Sequence, residues 1–336
     1  MRIVRYLGLR LALLVPTLLG VVVLSFVLVR VLPGDPLAAF VTPSTTSEDI
    51  EKIRQRLGLD VSMWEQFTTY VGGLFRGDLG TSIQSGSPIT TELSTRFGPT
   101  MELVVISVVI SLLLALVLGV WSALRANRPE DHVIRVGSLV GTALPEFWLG
   151  LILIAVFYKT LHWFPAPSGR VDRGVDLTSI TGAEGFDALL AGNLTALSSA
   201  LAHLVLPVAT IVIGISASLM RHVRASAIEI LASPTWRTAQ AHGVRRGALL
   251  RGYLLRGTAA RLPTLVAIVL GNVLGGVVLV EYVFSWQGMG QWLLRGLLYR
   301  DYPVIQAGVL ISAVVFAVAY LVADLVQALL DPRVKL

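Results

Sequence analysis

The most basic loop of this apolar chain contains the stretch Ser233-Pro234-Thr235-Trp236-Arg237-Thr238-Ala239-Gln240-Ala241-His242-Gly243. Ser233 suits the capping position before a helix, and Pro234 suits the first helical position, where its missing N–H costs nothing. Gly243 suits the left-handed residue that ends a helix. The stretch therefore predicts a helix of about two turns, too short to cross a bilayer and available to contact another protein in the water.

The composition of the chain indicates a membrane protein. Apolar residues make up 54% of the 336 residues, charged residues make up 14%, and the mean hydropathy is +0.75. This charge content is well below that of average soluble proteins. The chain has no cysteine, which excludes disulfides and thiolate metal sites.

Six long apolar runs predict an all-α polytopic fold with six transmembrane helices in one domain, residues 1–336. Each run approaches or exceeds the ~20 residues that cross ~30 Å of hydrocarbon. The first run is longer than the apolar part of a usual signal peptide and lacks a small-x-small cleavage site, so it is predicted to be retained. The predicted spans are residues 11–32, 100–124, 133–157, 201–220, 263–284 and 304–330.

The distribution of charge predicts which side of the membrane each segment faces. Segment 221–262 carries eight arginines against the single acid Glu229, whereas segment 33–99 has more acids than bases. The positive-inside rule therefore places segment 221–262 in the cytosol and segment 33–99 outside. Because the span count is even, both termini are predicted to be cytosolic. The same rule explains the pI of about 9.9 without nucleic acid.

The external segment carries two amphipathic patterns. Apolar residues at helical spacing occur around residues 50–57 and again around residues 64–75. Both patterns predict surface helices that lie at the membrane interface or on the bundle. A docking surface for an external partner is the alternative interpretation.

A search for catalytic and metal-binding motifs finds none. The three lysines, Lys52, Lys159 and Lys335, never follow a glycine, so a P-loop is absent. The five histidines form no HExxH motif, and no Gly-x-Ser-x-Gly elbow occurs. The chain is therefore not expected to be an enzyme or to bind ATP through a P-loop.

One acid inside the third predicted span stands out. Glu146 follows Pro145, which opens the backbone hydrogen-bond ladder of a helix. Two interpretations stay open: the carboxylate lines a water-filled path, or it lies near the membrane interface. In the fifth predicted span, Gly271, Gly275 and Gly276 allow close contact between helices.

Several motifs, in order along the chain, resemble the membrane permease subunits of peptide/nickel-type ABC importers, of the dipeptide and oligopeptide permease B kind. The resemblance covers nearly the whole chain. Its motifs are Pro33-Gly34-Asp35-Pro36, Leu57-Gly58-Leu59-Asp60, Gly77-Asp78-Leu79-Gly80-Thr81-Ser82, Leu144-Pro145-Glu146-Phe147-Trp148-Leu149-Gly150, His203-Leu204-Val205-Leu206-Pro207, Arg237-Thr238-Ala239-Gln240-Ala241-His242-Gly243, Arg300-Asp301-Tyr302-Pro303 and Leu330-Asp331-Pro332-Arg333.

The resemblance implies a type I ABC importer permease fold in the cytoplasmic membrane. It implies that residues 234–243 are the coupling helix of the so-called EAA motif, which fits a groove on the ATPase. The implied coupling residues are Trp236, Arg237, Thr238, Ala239, Ala241 and Gly243, with Trp236 offered as an anchor to the partner. The small alanines suit close approach, and Arg237 supplies a charged contact.

The resemblance also implies the partners. They are a second permease subunit, two ATPase subunits or domains that bind ATP and Mg²⁺, an extracytoplasmic solute-binding protein and a di- or oligopeptide substrate. This sequence departs from the general motif at Arg237 and Thr238, has His242 where lysine is common, and has Gln287 in place of a usual proline. The competing hypothesis is a stand-alone ion-coupled carrier or channel, and an intramembrane enzyme is a third.

Overall fold

The computed structural model describes residues 2–31 and 60–330, together with residues 48, 51, 54, 55 and 58. The regular secondary structure in this part of the chain is helical, and one isolated antiparallel bridge joins Thr81 to Pro88. The all-α prediction is confirmed. In chain order the helices are α1 (Arg2–Val31), α2 (Met63–Phe75), α3 (Ile89–Leu124), α4 (Pro129–Ala143), α5 (Glu146–Leu153), α6 (Glu184–Leu190), α7 (Leu194–Ala232), α8 (Pro234–Ala241), α9 (Arg246–Ala248), α10 (Arg256–Ala259), α11 (Leu262–Val283), α12 (Met289–Tyr299) and α13 (Tyr302–Leu330).

Two π-helical runs interrupt this pattern. Ile154–Thr160 continues α5, and Leu249–Leu255 joins α9 to α10. In a π-helix the backbone bonds reach five residues back rather than four, so one extra residue is accommodated and the exposed faces rotate.

The helices that are long and apolar enough to cross a membrane overlap predicted spans, and several of them are longer than predicted. In the described part of the chain they are Ala12–Val31, Ile89–Leu124, Leu194–Ala232 and Tyr302–Gln327, and the bent pair Pro129–Ala143 plus Glu146–Thr160 adds a fifth if it is one span. Helix α11 has 22 residues, about 33 Å at 1.5 Å per residue. The count of six stays a prediction.

Three helical segments differ from the sequence-based boundaries. Helix α7 has 39 residues and continues to Ala232, well beyond the predicted end at residue 220. Hydropathy marks where the apolar run ends, whereas the helix continues through Arg221, Arg224 and Glu229 because charged residues are good helix formers. Segment 221–262 is therefore largely helical. Segment 163–194, whose glycine-, aspartate- and serine-containing sequence with little periodicity predicts an irregular external loop, contains α6.

The chain divides into two compact units. The first comprises residues 1–100 and 287–317, and its buried cluster contains Ile89, Met289, Trp292, Val304 and Ala307. The second comprises residues 101–286 and 318–336.

Helix α7 is the centre of the second unit. The Asn193 side chain caps it by accepting a hydrogen bond from the Ala196 N–H at 3.0 Å. Within this unit α7 packs against α4, α5, α6 and α11. Of the 18-residue apolar stretch of α7, 67% is buried. The residues of the candidate site lie on α7 or against it.

Candidate functional site

Helix α8 has the caps that the sequence predicts. The Ser233 hydroxyl accepts a hydrogen bond from the Trp236 N–H at 3.2 Å, and Pro234 is the first helical residue. At the other end the Gly243 N–H donates to the Gln240 carbonyl, and the Val244 N–H donates to the Ala239 carbonyl. Gly243 has a φ of 72°. These two bonds form a Schellman motif, which fixes where the helix stops.

The two faces of α8 differ sharply. Trp236 and Ala239 are each 7% exposed and belong to the main buried cluster of the second unit. They lie three residues apart and so share one helical face. The expectation that Trp236 offers an anchor to a partner is corrected here, because the indole packs among the chain's own helices and holds α8 in place.

The outward face of α8 is polar or small. Its exposed residues are Pro234, Thr235, Arg237, Thr238, Gln240 and Ala241, and the two residues that follow the helix, His242 and Gly243, are exposed as well. Of the predicted coupling residues, Arg237, Thr238, Ala241 and Gly243 are therefore accessible. Trp236 and Ala239 lie on the buried face of α8 and hold the helix against the core.

A buried ion pair ties the helix that precedes α8 to its neighbours. Arg224 on α7 donates from Nε to Asp131 Oδ1 and from Nη2 to Asp131 Oδ2, both at 2.7 Å. The Asp131 carboxylate also accepts from the Asn127 N–H at 3.0 Å and from the Ser122 hydroxyl. Asp131 is fully buried. The bidentate geometry fixes both distance and orientation between α4 and α7.

Sequence reasoning missed this pair. Arg224 is one of the eight arginines of segment 221–262 that set the topology, and the charge count treats residues 125–131 only as a short turn on the same side. The partners lie 93 residues apart in the chain. The available signal was an acid in the first turn of a helix behind Pro129, and that signal does not name a partner.

The third predicted span is broken at Pro145. Helix α4 ends at Ala143, the next residue Leu144 has extended backbone angles of −86° and 129°, and α5 begins at Glu146. The two halves are bent by 105°. Proline disfavours helical angles in the preceding residue and lacks an N–H, so both effects stop α4 at this point.

Glu146 lies between two glycines of neighbouring helices. A Cβ added to Gly214 of α7 would lie 3.2 Å from Glu146 Oε1, and a Cβ added to Gly276 of α11 would overlap Oε2. The carboxylate is half-buried, and none of the described residues gives it a hydrogen bond or an ion pair. As the first residue of α5 it benefits from the positive end of the helix dipole.

A cavity of about 210 Å³ opens beside Glu146. Gly214, Ser218 and His222 of α7 line it, with apolar residues of α7 and α11. A second cavity of about 1,060 Å³ shares His222 and Leu265 with the first. Arg256 and Arg261 line the larger cavity, where Arg261 pairs with Glu229. Glu146 lines a cavity, and its position on a water-filled path stays a prediction.

Two distant motifs of the sequence meet in the first unit. The Ser82 hydroxyl donates to Asp301 Oδ2 at 2.6 Å, and the Gln84 N–H donates to the same oxygen at 3.0 Å. Gly80 faces Pro303, where an added Cβ would lie 3.6 Å from the proline Cβ. The motifs at 33–36 and 331–333 lie outside the described residues.

The comparisons with known proteins cover almost the whole chain. Residues 115–336 match the family described as binding-protein-dependent transport system inner membrane component. Residues 3–104 match the N-terminal part described for the same systems. The chain belongs to this family.

Curated relatives of the family match the chain from end to end. The probable D,D-dipeptide transport system permease protein DdpB of Escherichia coli K12 is 36% identical over 322 residues, 96% of this chain and 94% of the relative. The dipeptide permease DppB of Alkalihalophilus pseudofirmus is 33% identical over 97% of this chain and 98% of its own. The glutathione permease GsiC of Escherichia coli O6:H1 is 33% identical over 96% of each chain.

Membership of this family makes the chain a multi-pass membrane permease component of an ABC importer. The family description names an inner membrane component of a binding-protein-dependent system, and the apolar helices described above agree with it. The resemblance inferred from the motifs is confirmed.

Proposed function

We propose that the chain forms half of the translocation pathway of an ATP-driven importer for di- or oligopeptides. The relatives named above transport peptides, which supports this substrate class. The other half would be a second permease subunit of the same fold, and an extracytoplasmic binding protein would deliver the peptide. Both termini would lie in the cytosol, on the side of the arginine-rich segment.

The coupling element of this importer is α8. Its exposed face of Arg237, Thr238, Ala241 and Gly243 contacts the ATPase subunits, which bind ATP and Mg²⁺, and this chain performs no catalytic step. The observation that carries the proposal is the division of α8 into two faces. Trp236 and Ala239 are buried in the chain's own core, so force applied to the outer face is transmitted to α7.

Transport then follows from two states of the complex. ATP-driven closure of the ATPases displaces α8, and the bundle changes between inward-open and outward-open forms. Each form must make different contacts with the ATPase and with the binding protein, because a ligand shifts an equilibrium only through differential affinity.

The test is recovery of the intact complex from its host in mild detergent. Ala241→Glu puts a charge on the outer face of α8, and we expect it to reduce the ATPase that co-purifies while leaving the chain inserted. Ala248→Glu is the matched control, since Ala248 is also exposed but lies beyond α8. Equal ATPase recovery in both variants, with normal peptide-stimulated hydrolysis, would refute the coupling role.

The same experiment separates the importer from a stand-alone carrier. Wild-type chain is expected to bring down a second permease and an ATPase with Walker motifs. Transport of peptides by the purified chain alone in vesicles, driven by an ion gradient, would overturn the proposal.

A further inference from the structure

Glu146 places a carboxyl group within a bundle of membrane helices. A carboxylate is an acceptor of hydrogen bonds and carries no donor when ionised. Ionisable groups in transmembrane segments normally find a partner or mark a functional site. None of the described residues supplies a donor to Glu146.

The space around the carboxylate is provided by glycines rather than by chance gaps. Gly214 and Gly276 approach it from two helices, and a methyl group at Gly276 would occupy the position of Oε2. Gly275, one residue earlier, has nothing within 4 Å of its added Cβ. The close approach is therefore specific to the side of α11 that faces Glu146.

The cavity beside Glu146 has the size of part of a peptide. Its volume of about 210 Å³ is below the ~300–1,000 Å³ of sites for whole drug-sized ligands. Ser218 and His222 are its other polar lining residues, and none of the described residues that line it is a lysine or an arginine. The 1,060 Å³ cavity is its neighbour, since His222 and Leu265 line both.

The chemistry of this lining selects the ligand group. A lone carboxylate beside a hydroxyl favours a cation that donates several hydrogen bonds, which is the property of a primary ammonium. A metal ion needs more ligands, and among the described residues no group of three His, Cys, Asp or Glu side chains is placed to hold one.

We propose that Glu146 is the binding site for a primary ammonium group of the peptide in transit. The inference rests on the proposed function, since a peptide carries this group at its N-terminus or on a lysine side chain. Glu146 holds the ammonium in the small cavity while the rest of the peptide extends toward the larger one. Arg256 in the larger cavity favours the carboxylate end of the peptide, whereas Arg261 there is paired with Glu229.

The test uses the absence of cysteine from this chain. Val269→Cys places one thiol in the cavity and leaves its polar lining residues unchanged, and the alkylation of this thiol in the intact detergent-solubilised complex is followed by mass spectrometry of this subunit. The probes are Ala-Ala-Ala, N-acetyl-Ala-Ala-Ala and N-acetyl-Ala-Lys-Ala. The reporter variant must itself support uptake of Ala-Ala-Ala.

We expect Ala-Ala-Ala to protect the thiol and its N-acetyl form to protect about tenfold less, the loss expected for a charge-assisted hydrogen bond. Adding Glu146→Gln should abolish the difference between the two peptides, and Glu146→Asp should retain part of it. Protection by N-acetyl-Ala-Lys-Ala assigns the site to any primary ammonium, whereas protection by Ala-Ala-Ala alone assigns it to the N-terminus.

Three results would overturn the inference: no protection by Ala-Ala-Ala, equal protection by its N-acetyl form, or an unchanged difference in Glu146→Gln. Glu65→Gln, an exposed acid on α2, is the control for loss of a carboxylate. Co-purification of the ATPase with each variant shows that the complex has assembled.

The experiment also distinguishes this inference from the proposed function. If wild-type complex takes up Ala-Ala-Ala and Glu146→Gln does so equally well, the peptide importer stands and the ammonium site fails. If wild-type complex takes up no peptide at saturating binding protein, the proposed substrate class fails.

Discussion

Two acids in the bent pair occupy similar sequence contexts and very different surroundings. Asp131 lies in the first turn of α4 behind Pro129, and Glu146 begins α5 behind Pro145. Asp131 accepts hydrogen bonds from Arg224, Ser122 and the Asn127 backbone. Glu146 receives none from the described residues and is flanked by Gly214 and Gly276.

The same local sequence context can therefore produce an acid whose carboxylate is fully hydrogen-bonded within the fold, or an acid whose carboxylate can still bind a ligand. Both acids follow a proline and both gain from a helix N-terminus. Both acids face α7, and what differs is the residue that α7 presents, which is Arg224 to Asp131 and Gly214 to Glu146. A satisfied ion pair rigidifies the junction of α4 and α7, whereas an open carboxylate keeps its acceptor capacity for a ligand.

The largest expected effect follows from removing the satisfied acid. Asp131→Ala leaves Arg224 without its partner, although that side chain retains 23% exposure and some access to water. We expect a loss of about 3 kcal/mol in stability, the upper end for an orphaned buried group. The measurement is the melting temperature of the purified chain in detergent.

The neighbouring acid provides the control for that prediction. Glu130→Ala removes a partly exposed carboxylate whose ion pair with Arg125 is 3.9 Å long. Surface substitutions of this kind usually change stability by less than ~0.5 kcal/mol. Equal melting temperatures for the two variants would show that the Asp131 network adds nothing to stability.

The second prediction concerns the space around the open acid. Gly276→Ala introduces a methyl group where Glu146 Oε2 lies, so the carboxylate or the helix must shift. Because Oε2 ends a flexible side chain, it can move at little cost to the fold, so we expect the effect to appear in peptide transport, as an about tenfold loss, rather than in stability. Gly275→Ala adds the same methyl in open space, and uptake should stay at the wild-type rate. Similar uptake by both variants would contradict the placement of Glu146.

The third prediction tests whether geometry or charge alone satisfies Asp131. Arg224→Lys keeps the positive charge but loses the planar fork that bonds both carboxylate oxygens. We expect a loss of about 1 kcal/mol, the contribution of one hydrogen bond. A melting temperature as low as that of Asp131→Ala would mean that the bidentate geometry supplies the whole effect.

The smallest effect concerns a third acid, Asp187 on α6, which is served mainly by backbone donors. Burial would raise the pKa of Asp187, but hydrogen bonds from Thr181, Ile180 and Gly182 outweigh it and lower the pKa below its ordinary value of 3.8. Because the pKa of Asp187 is lower in the folded loop than in the unfolded chain, the ionised carboxylate stabilises the loop at pH values above its ordinary pKa. This stabilisation is lost as the pH falls through the lowered pKa of the folded state.

Hydrogen exchange of the amides at residues 180–182 measures this effect. We expect protection, corrected for the intrinsic rate, to be constant above pH 3.8 and to fall below it. In Asp187→Asn the protection should be low throughout. A pH-independent profile in the wild type would show that the carboxylate does not hold these amides.

The bounds of α8 could be predicted from neighbouring residues in the sequence. The direction of its buried face could not, because it depends on packing against distant segments. Ser233, Pro234 and Gly243 act within four residues of themselves, so the bounds of the helix follow from the sequence. The spacing of Trp236 and Ala239 puts them on one face. Which face turns inward depends on the π-helical run Leu249–Leu255 and on α7, which no local pattern reveals.

The candidate cavity was predictable only in part. Pro145 indicated a break and Glu146 an unusual charge, but the 105° bend and the glycines that surround the carboxylate depend on α7 and α11. The Asp131–Arg224 pair was missed because a sequence gives charges without their partners.

The bend at Pro145 also bears on the lipid. Helix α4 has 15 residues and a length of about 22 Å, and the segment Glu146–Thr160 does not exceed that length. Neither half spans ~30 Å of hydrocarbon by itself, and their 105° angle prevents them from adding end to end. In a bilayer, a segment of this shape would need shielding by neighbouring helices or local thinning of the hydrocarbon layer. Acyl chain length thus becomes a physical variable that acts on the hinge, and through it on the carboxylate that begins α5.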